Sequence, residues 1–202
     1  MIYFVRHGDK VKSRDYNEHY NESLGILDEP LSCKGREDAE KIARYFESAD
    51  IKSIFVSQYK RAYETAEPMA RQKGISITVD SRVNEINNGD IRNMSDEEIA
   101  AKYPKLWSEI MSRSCDFRYP GGESGKDVKK RQDSFLNDLA HEKGDIMVVS
   151  HDGYIRLLMC SVLGLPVYKR YRFVTDMGGI SAVFFDEEEK EWRIAAFNQL
   201  LP

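Results

Sequence analysis

Three short apolar runs, Ile2-Tyr3-Phe4-Val5, Ile54-Phe55-Val56 and Ile146-Met147-Val148-Val149, constrain this chain more than any other feature. Each is rich in β-branched and aromatic residues, and none alternates apolar with polar. A strand with one wet face alternates; a strand covered on both faces does not. The runs therefore read as buried strands of a sheet with layers on both sides. Between them the apolar spacing changes to the helical period. After Ser32, residues Ala39, Ile42, Ala43 and Phe46 recur at i, i+3, i+4 and i+7. From Arg61 to Lys73, Ala62, Ala66, Met69 and Ala70 share one side, and Gly74 closes the segment. Ser95 with Glu98 forms a capping box for a short helix ending near Tyr103-Pro104. Ser124 caps another, with Val128, Phe135 and Leu139 facing inward. The apolar stretch from Tyr154 to Leu163 reads as a buried helix ended by Gly164-Leu165-Pro166.

Two last strands, Ile180 to Asp186 and Trp192 to Phe197, flank an acidic turn, Glu187 to Glu191, which reads as a solvated hairpin tip and not a cation site. Strands alternating with helices predict an α/β fold with a mainly parallel central sheet and helices on both faces. The segment from Asn84 to Gly122 is less regular and reads as an insertion over one end of the sheet. No linker or repeat divides the chain, so residues 1–202 are expected to form a single domain.

The hydrophobic fraction of 41% suffices for a sizeable core. A formal net charge of −4 provides no basic stripe, which argues against a nucleic-acid partner. An anionic substrate would need positive charge concentrated locally. Cys33, Cys115 and Cys160 have no metal-like spacing and read as reduced thiols. The first apolar run is interrupted by Arg6 and is too short for a signal peptide, and no run approaches the ~20 apolar residues of a membrane span. A cytoplasmic protein with no membrane partner is the expectation; oligomeric state leaves no trace in the sequence.

Arg6 and His7 follow the first strand, His151 follows the strand ending at Val149, and Arg61 opens the helix after the strand ending at Val56. Ligands of parallel sheets bind beyond the carboxyl ends of the strands. Three strand ends thus bring two imidazoles and two guanidiniums to one edge. Guanidinium forks match phosphate oxygens. The helix starting near Gly153 offers a positive N-terminus beside His151. A neutral imidazole can attack phosphorus and split one hard step into two. Each residue alone has an ordinary alternative: a core histidine, a helix cap, a first-turn arginine. Arg6 is harder to dismiss, because a charge ending a buried strand requires a partner. His19, in a polar loop running from Tyr16 to Asn21, reads as a surface residue, and His141 as a helix C-terminal cation.

The motifs resemble those of the histidine phosphatase superfamily, in its phosphoglycerate-mutase-like branch. Arg6-His7-Gly8 is similar to its first signature, and Gly25 to Ser32 with Gly35 to the approach to its first helix. Ser57 to Ala66 resembles its second arginine motif. Asn84-Glu85-Ile86 resembles its acidic motif, Pro120 to Ser124 its glycine-rich turn, and Val149 to Gly153 its second-histidine motif. The blocks run in family order and cover nearly the whole chain. The resemblance implies a largely parallel six-stranded sheet and chemistry without metal or cofactor. It implies His7 as nucleophile, Glu85 as general acid and then base, and Arg6, Arg61 and His151 as the phosphoryl clamp. Asp152 and Asn17 are further candidates for substrate contact. The chain departs from the family at Asp9, where glutamate or glutamine is commoner, and at Ile91-Arg92-Asn93, where Trp-Glu-Gly is frequent. An asparagine usually follows the first signature more closely than Asn17 does.

The expected activity is a metal-independent phosphatase acting on a small phosphorylated metabolite through a phosphohistidine at His7. A phosphoglycerate mutase is the alternative, which the chain's shortness and the run Ile86-Asn87-Asn88-Gly89 disfavour. A non-catalytic phospho-ligand module is the second alternative, which the intact five-residue centre disfavours. Substrate choice is expected to rest on a lid at 92–119, with Arg113, Arg118 and Tyr119 as contacts.

Overall fold

A computed structural model describes residues 1–12 and 18–202. The chain runs through β1 (Ile2–Arg6), β2 (Tyr20–Asn21), β3 (Ile26–Leu27), α1 (Cys33–Tyr45), β4 (Ile51–Val56), α2 (Lys60–Lys73) and β5 (Ile77–Val79). It continues through α3 (Asp96–Lys102), α4 (Pro104–Ser112), α5 (Gly125–Leu139), β6 (Asp145–Ser150), α6 (Asp152–Val162), β7 (Ile180–Asp186) and β8 (Glu191–Gln199). Six strands form one sheet in the order β5-β4-β6-β1-β7-β8, and β2 pairs with β3 in a separate ribbon. From β5 to β1 the pairings are parallel. β7 and β8 close the far edge with antiparallel pairings.

The two-residue side-chain period of a strand explains the absence of polar alternation. Ile2, Phe4, Ile146 and Val148 join Phe135, Leu136, Tyr154, Leu157 and Leu158 on the face covered by α5 and α6. Val5, Met147, Val149, Ile54 and Val56 join Ile42, Phe46, Ala62, Ala66 and Met69 on the face covered by α1 and α2. Fully burying one such side chain contributes roughly 1.5–3 kcal/mol, so both faces of the central strands reward apolar residues.

Helix ends follow their caps. Ser32 Oγ accepts from Gly35 N at 3.1 Å and starts α1. Ser95 and Ser124 each complete a capping box, and Gly74 ends α2 at φ 66°. The acidic run forms the expected hairpin tip, where Asp186 Oδ1 accepts the N–H groups of Glu188 and Glu189.

Three expectations need correction. Pro104 does not end helical structure but begins α4, because proline at the first helical position loses no hydrogen bond. The segment from Asn84 to Gly122 is more ordered than expected and buries Ile91, Ile99, Leu106, Phe117 and Tyr119 in the core beneath α5 and α6. His19 is half-buried and not a surface residue, because its carbonyl ties the loop down by accepting from Asp28 N at 2.8 Å. His141 is exposed beyond the end of α5, 3.4 Å from Glu187. Among the described residues no helix is long and apolar enough to cross a membrane.

Candidate active site

β4, β6 and β1 are adjacent in the sheet, so the residues after them share one edge. Backbone contacts lock these ends together: His7 N donates to Ser150 O at 3.0 Å, and Ser57 N donates to Val149 O at 3.3 Å. Gly8 is required where the chain leaves β1, because a Cβ there would sit 2.8 Å from the Gly35 carbonyl oxygen. Gly35 is tighter still, since its Cβ would meet the Asp9 carbonyl oxygen at 2.0 Å. This approach sets the first turn of α1 against the segment carrying His7.

His7 and His151 are buried with ring centroids 5.1 Å apart, and Arg61 bridges them. The ring Nδ1 of His7 lies 2.8 Å from the Gly8 carbonyl, which only accepts, so Nδ1 carries the proton. Nε2 of His7 is then the lone-pair nitrogen, and it accepts from Arg61 Nε at 3.1 Å. Arg61 Nη2 donates to His151 Nδ1 at 3.4 Å, which leaves His151 Nε2 to donate to Ser57 Oγ at 2.7 Å. Burial, reinforced by Arg61, pushes the His7 pKa down to about 3. The same two causes hold His151 well below its ordinary value. Both rings are neutral near pH 7.

Arg61 is held from several sides. Its guanidinium stacks on Tyr59 at 4.4 Å, and its Nη1 lies 3.9 Å from the buried Asp28. Asp28 also accepts from Lys60 N at 2.9 Å, at the start of α2. Thr65 Oγ1 donates to the Arg61 carbonyl at 2.7 Å and accepts from Gly8 N at 3.0 Å, which ties α2 to the His7 segment. Arg6 donates to Thr175 O at 2.6 Å and lies 3.8 Å from Asp152 Oδ1. Its Nε is buried without a hydrogen-bond partner among the described residues.

Glu85 sits over the N-terminus of α6. Its Oε2 accepts from Gly153 N at 3.1 Å, and its Oε1 accepts from Tyr154 N at 3.0 Å and Ile86 N at 2.8 Å. Burial, helped by Asp152, raises its pKa against the lowering pull of the Ile86 and Gly153 N–H groups and of Arg61. Arg61 and Glu85 line a cavity of about 230 Å³ that also includes Lys10, Tyr59, Asn88 and Arg92. The arrangement provides a neutral imidazole whose Nε2 carries no proton, fixed cations for an anion, and a carboxyl whose pKa burial raises. Those parts suit phosphoryl transfer.

The structure thus brings together Arg6, His7, Arg61, Glu85 and His151, with Asp152 behind Arg6. Asn17 lies outside the described residues. Arg113, Arg118 and Tyr119 each have partners of their own. Arg113 stacks on Tyr171 at 4.8 Å, Arg118 pairs with Asp127, and the buried Tyr119 packs on Phe117. Asp28, Ser57, Tyr59 and Thr65 also contact this centre, beyond the residues expected from the sequence. Ser57 follows a strand end, as His7 does, and that position was the signal available for it.

The family model of the histidine phosphatase superfamily, branch 1, matches residues 2–199. The chain belongs to this superfamily. Phosphoserine phosphatase 1 of Hydrogenobacter thermophilus is 30% identical over 165 residues, covering 81% of this chain and 78% of that protein. A protein of Salmonella choleraesuis named as probable phosphoglycerate mutase GpmB is 27% identical, over 95% of this chain and 87% of its own. The vanadate (VO3) complex of mycobacterial glucosyl-3-phosphoglycerate phosphatase superposes with a TM-score of 0.76 at 26% identity, over 98% of both chains. The histidine phosphatase fold and a phosphatase-type enzyme follow for this chain.

Proposed function

We propose that this histidine phosphatase hydrolyses a small phosphomonoester by passing its phosphoryl group to His7 Nε2 and then to water. The observation that carries the reading is the fixed tautomer of His7: Gly8 holds Nδ1–H, so the lone pair lies on Nε2 beside Arg61. In the first step the Nε2–P bond forms and the ester P–O bond breaks, while Glu85 gives its proton to the leaving oxygen. In the second step water attacks phosphorus, the N–P bond breaks, and Glu85 takes the proton back. The Arg61–His7 hydrogen bond opens before attack, and Arg61 turns from His7 to the phosphoryl oxygens. Arg6, Arg61 and His151 neutralise those oxygens. A bound dianion offsets the burial that keeps His151 neutral and lets its Nδ1 become a donor.

A small substrate is supported by the modest cavity and by relatives named for phosphoserine and glucosyl-3-phosphoglycerate. We read residues 1–202 as one domain with 92–119 as its lid. All three cysteines are free, which supports a reducing cytoplasmic setting. Release of inorganic phosphate from an aryl phosphate in chelator, lost in His7→Ala, is the expected outcome. Acid-labile phosphate trapped on wild-type protein alone would place the intermediate, and unchanged turnover in the variant would remove it. The mutase reading is kept alive by the Salmonella relative. It predicts conversion of 3-phosphoglycerate to 2-phosphoglycerate with a bisphosphate primer, with little phosphate released.

A further inference from the structure

Arg92 lines two cavities that meet over Tyr59 and Glu85, one of about 230 Å³ and the other of about 310 Å³. The other cations on those walls are committed. Lys10 pairs with Glu29, Arg61 bridges both histidines, and Arg131 holds Glu123 while donating to the carbonyls of Arg82 and Glu85. Among the described residues Arg92 donates only to the neutral Asn87 Oδ1, at 2.7 Å, and no carboxylate pairs with it. The neighbouring Asn88 Oδ1, on the wall shared with Arg61, is buried with no hydrogen-bond partner among the described residues, and as an acceptor it calls for a donor such as a hydroxyl beside the anion. A half-buried guanidinium without a counter-ion is costly, and an anion in the cavity removes that cost.

If the phosphoryl group is carried by Arg6, Arg61 and His151, the charge of Arg92 is left for another group. Its cavities are shared with Glu85, the proton donor to the leaving oxygen, so it faces the leaving group. Cavities of this size have room for a leaving group of a few carbons beside the phosphoryl site. A single guanidinium balances one unit of charge, which suits a carboxylate better than a second phosphate dianion.

We infer that Arg92 reads a carboxylate on the leaving group, so the preferred substrates are small phosphorylated carboxylic acids. This rests on the phosphatase reading above and narrows it. The test uses 3-phosphoglycerate and glycerol 3-phosphate, which differ only in carboxylate against hydroxymethyl. Wild-type kcat/KM, read as phosphate release, favours the acid by about 10- to 100-fold, as expected for a charge-assisted bond. In Arg92→Gln that ratio falls toward one, with the KM for the acid rising more than its kcat falls. Arg92→Lys keeps part of the preference, because it restores the charge without the fork.

A wild-type ratio near one, or equal loss on both substrates in Arg92→Gln, overturns the inference. Should the variants fold poorly, the two compounds are compared as inhibitors of wild-type aryl phosphate hydrolysis. Stronger inhibition by the acid then supports the role, and equal inhibition ends it. Propanediol bisphosphate outcompeting the acid would assign the site to phosphate and overturn the carboxylate. Aryl phosphatase activity is measured in parallel: its absence counts against the phosphatase reading, while its presence with no acid preference counts against Arg92 alone.

Discussion

The Gly8 carbonyl decides which nitrogen of His7 is free, and burial decides that the ring is neutral. With its pKa pushed down to about 3, His7 does not limit activity by protonation anywhere near neutrality. In the proposed mechanism the titration that matters belongs to Glu85, whose pKa is raised by burial. A general acid must hold its proton, so hydrolysis of alkyl phosphates should fall as pH rises through the raised Glu85 value. Glu85→Gln should slow an alkyl phosphate at least about tenfold more than an aryl phosphate, whose leaving group needs less help. Leaving-group-dependent rates across pH check this, and equal slowing on both would remove Glu85 as the acid. Arg6, His7 and His151 were legible in the sequence because they stand at or just past the carboxyl ends of buried strands, where a parallel sheet binds its ligands. Asp28 and Arg92 were not, because they lie outside the regular elements and reach the site only through the path of the folded chain.

At the scale of elements, the site depends on how closely α1 approaches the end of β1. Gly35 has no room for a methyl group, since the Asp9 carbonyl oxygen would lie 2.0 Å from its Cβ and is backbone, which cannot rotate aside. Gly35→Ala should cost about 1–3 kcal/mol, the usual range for overpacking, and lower aryl phosphate turnover by displacing the segment after His7. Thermal unfolding together with steady-state rates tests both effects; an unchanged midpoint would mean the contact relaxes freely. The helices with strong caps were readable, because Ser32, Ser95 and Ser124 each answer orphan N–H groups in a local pattern. β5 went unread. It has three residues, none of them buried, so neither length nor periodicity marks it. α4 was hidden by Pro104, whose ring stops a helix in one register and starts one in the next.

For the whole molecule, two buried neutral histidines make stability depend on pH. Between about pH 3 and 6.5 the unfolded chain binds a proton that native His7 excludes, so stability is lost as pH falls through that window. His151 acts in the same direction. Each contributes a slope on the order of 1 kcal/mol per pH unit while the window lasts. Denaturant unfolding between about pH 7 and pH 4 should therefore give a shallower loss for His7→Asn than for wild type. Parallel curves would mean that native His7 takes up its proton as readily as the unfolded chain does. Asp127, held low near 2 by Ser124, adds acid sensitivity common to both proteins and cancels in the comparison. The sequence alone determined the layered α/β fold and the edge at which the chemistry collects. Strand burial and helix caps are written in local patterns of apolar and capping residues, and motif order carried the rest. Only the tertiary structure decided that Arg61 lies across both histidines, that the α6 N-terminus holds Glu85, and that Arg92 meets no carboxylate among the described residues. Those relations join residues up to 90 positions apart, and their geometry depends on how the layers pack rather than on any local pattern.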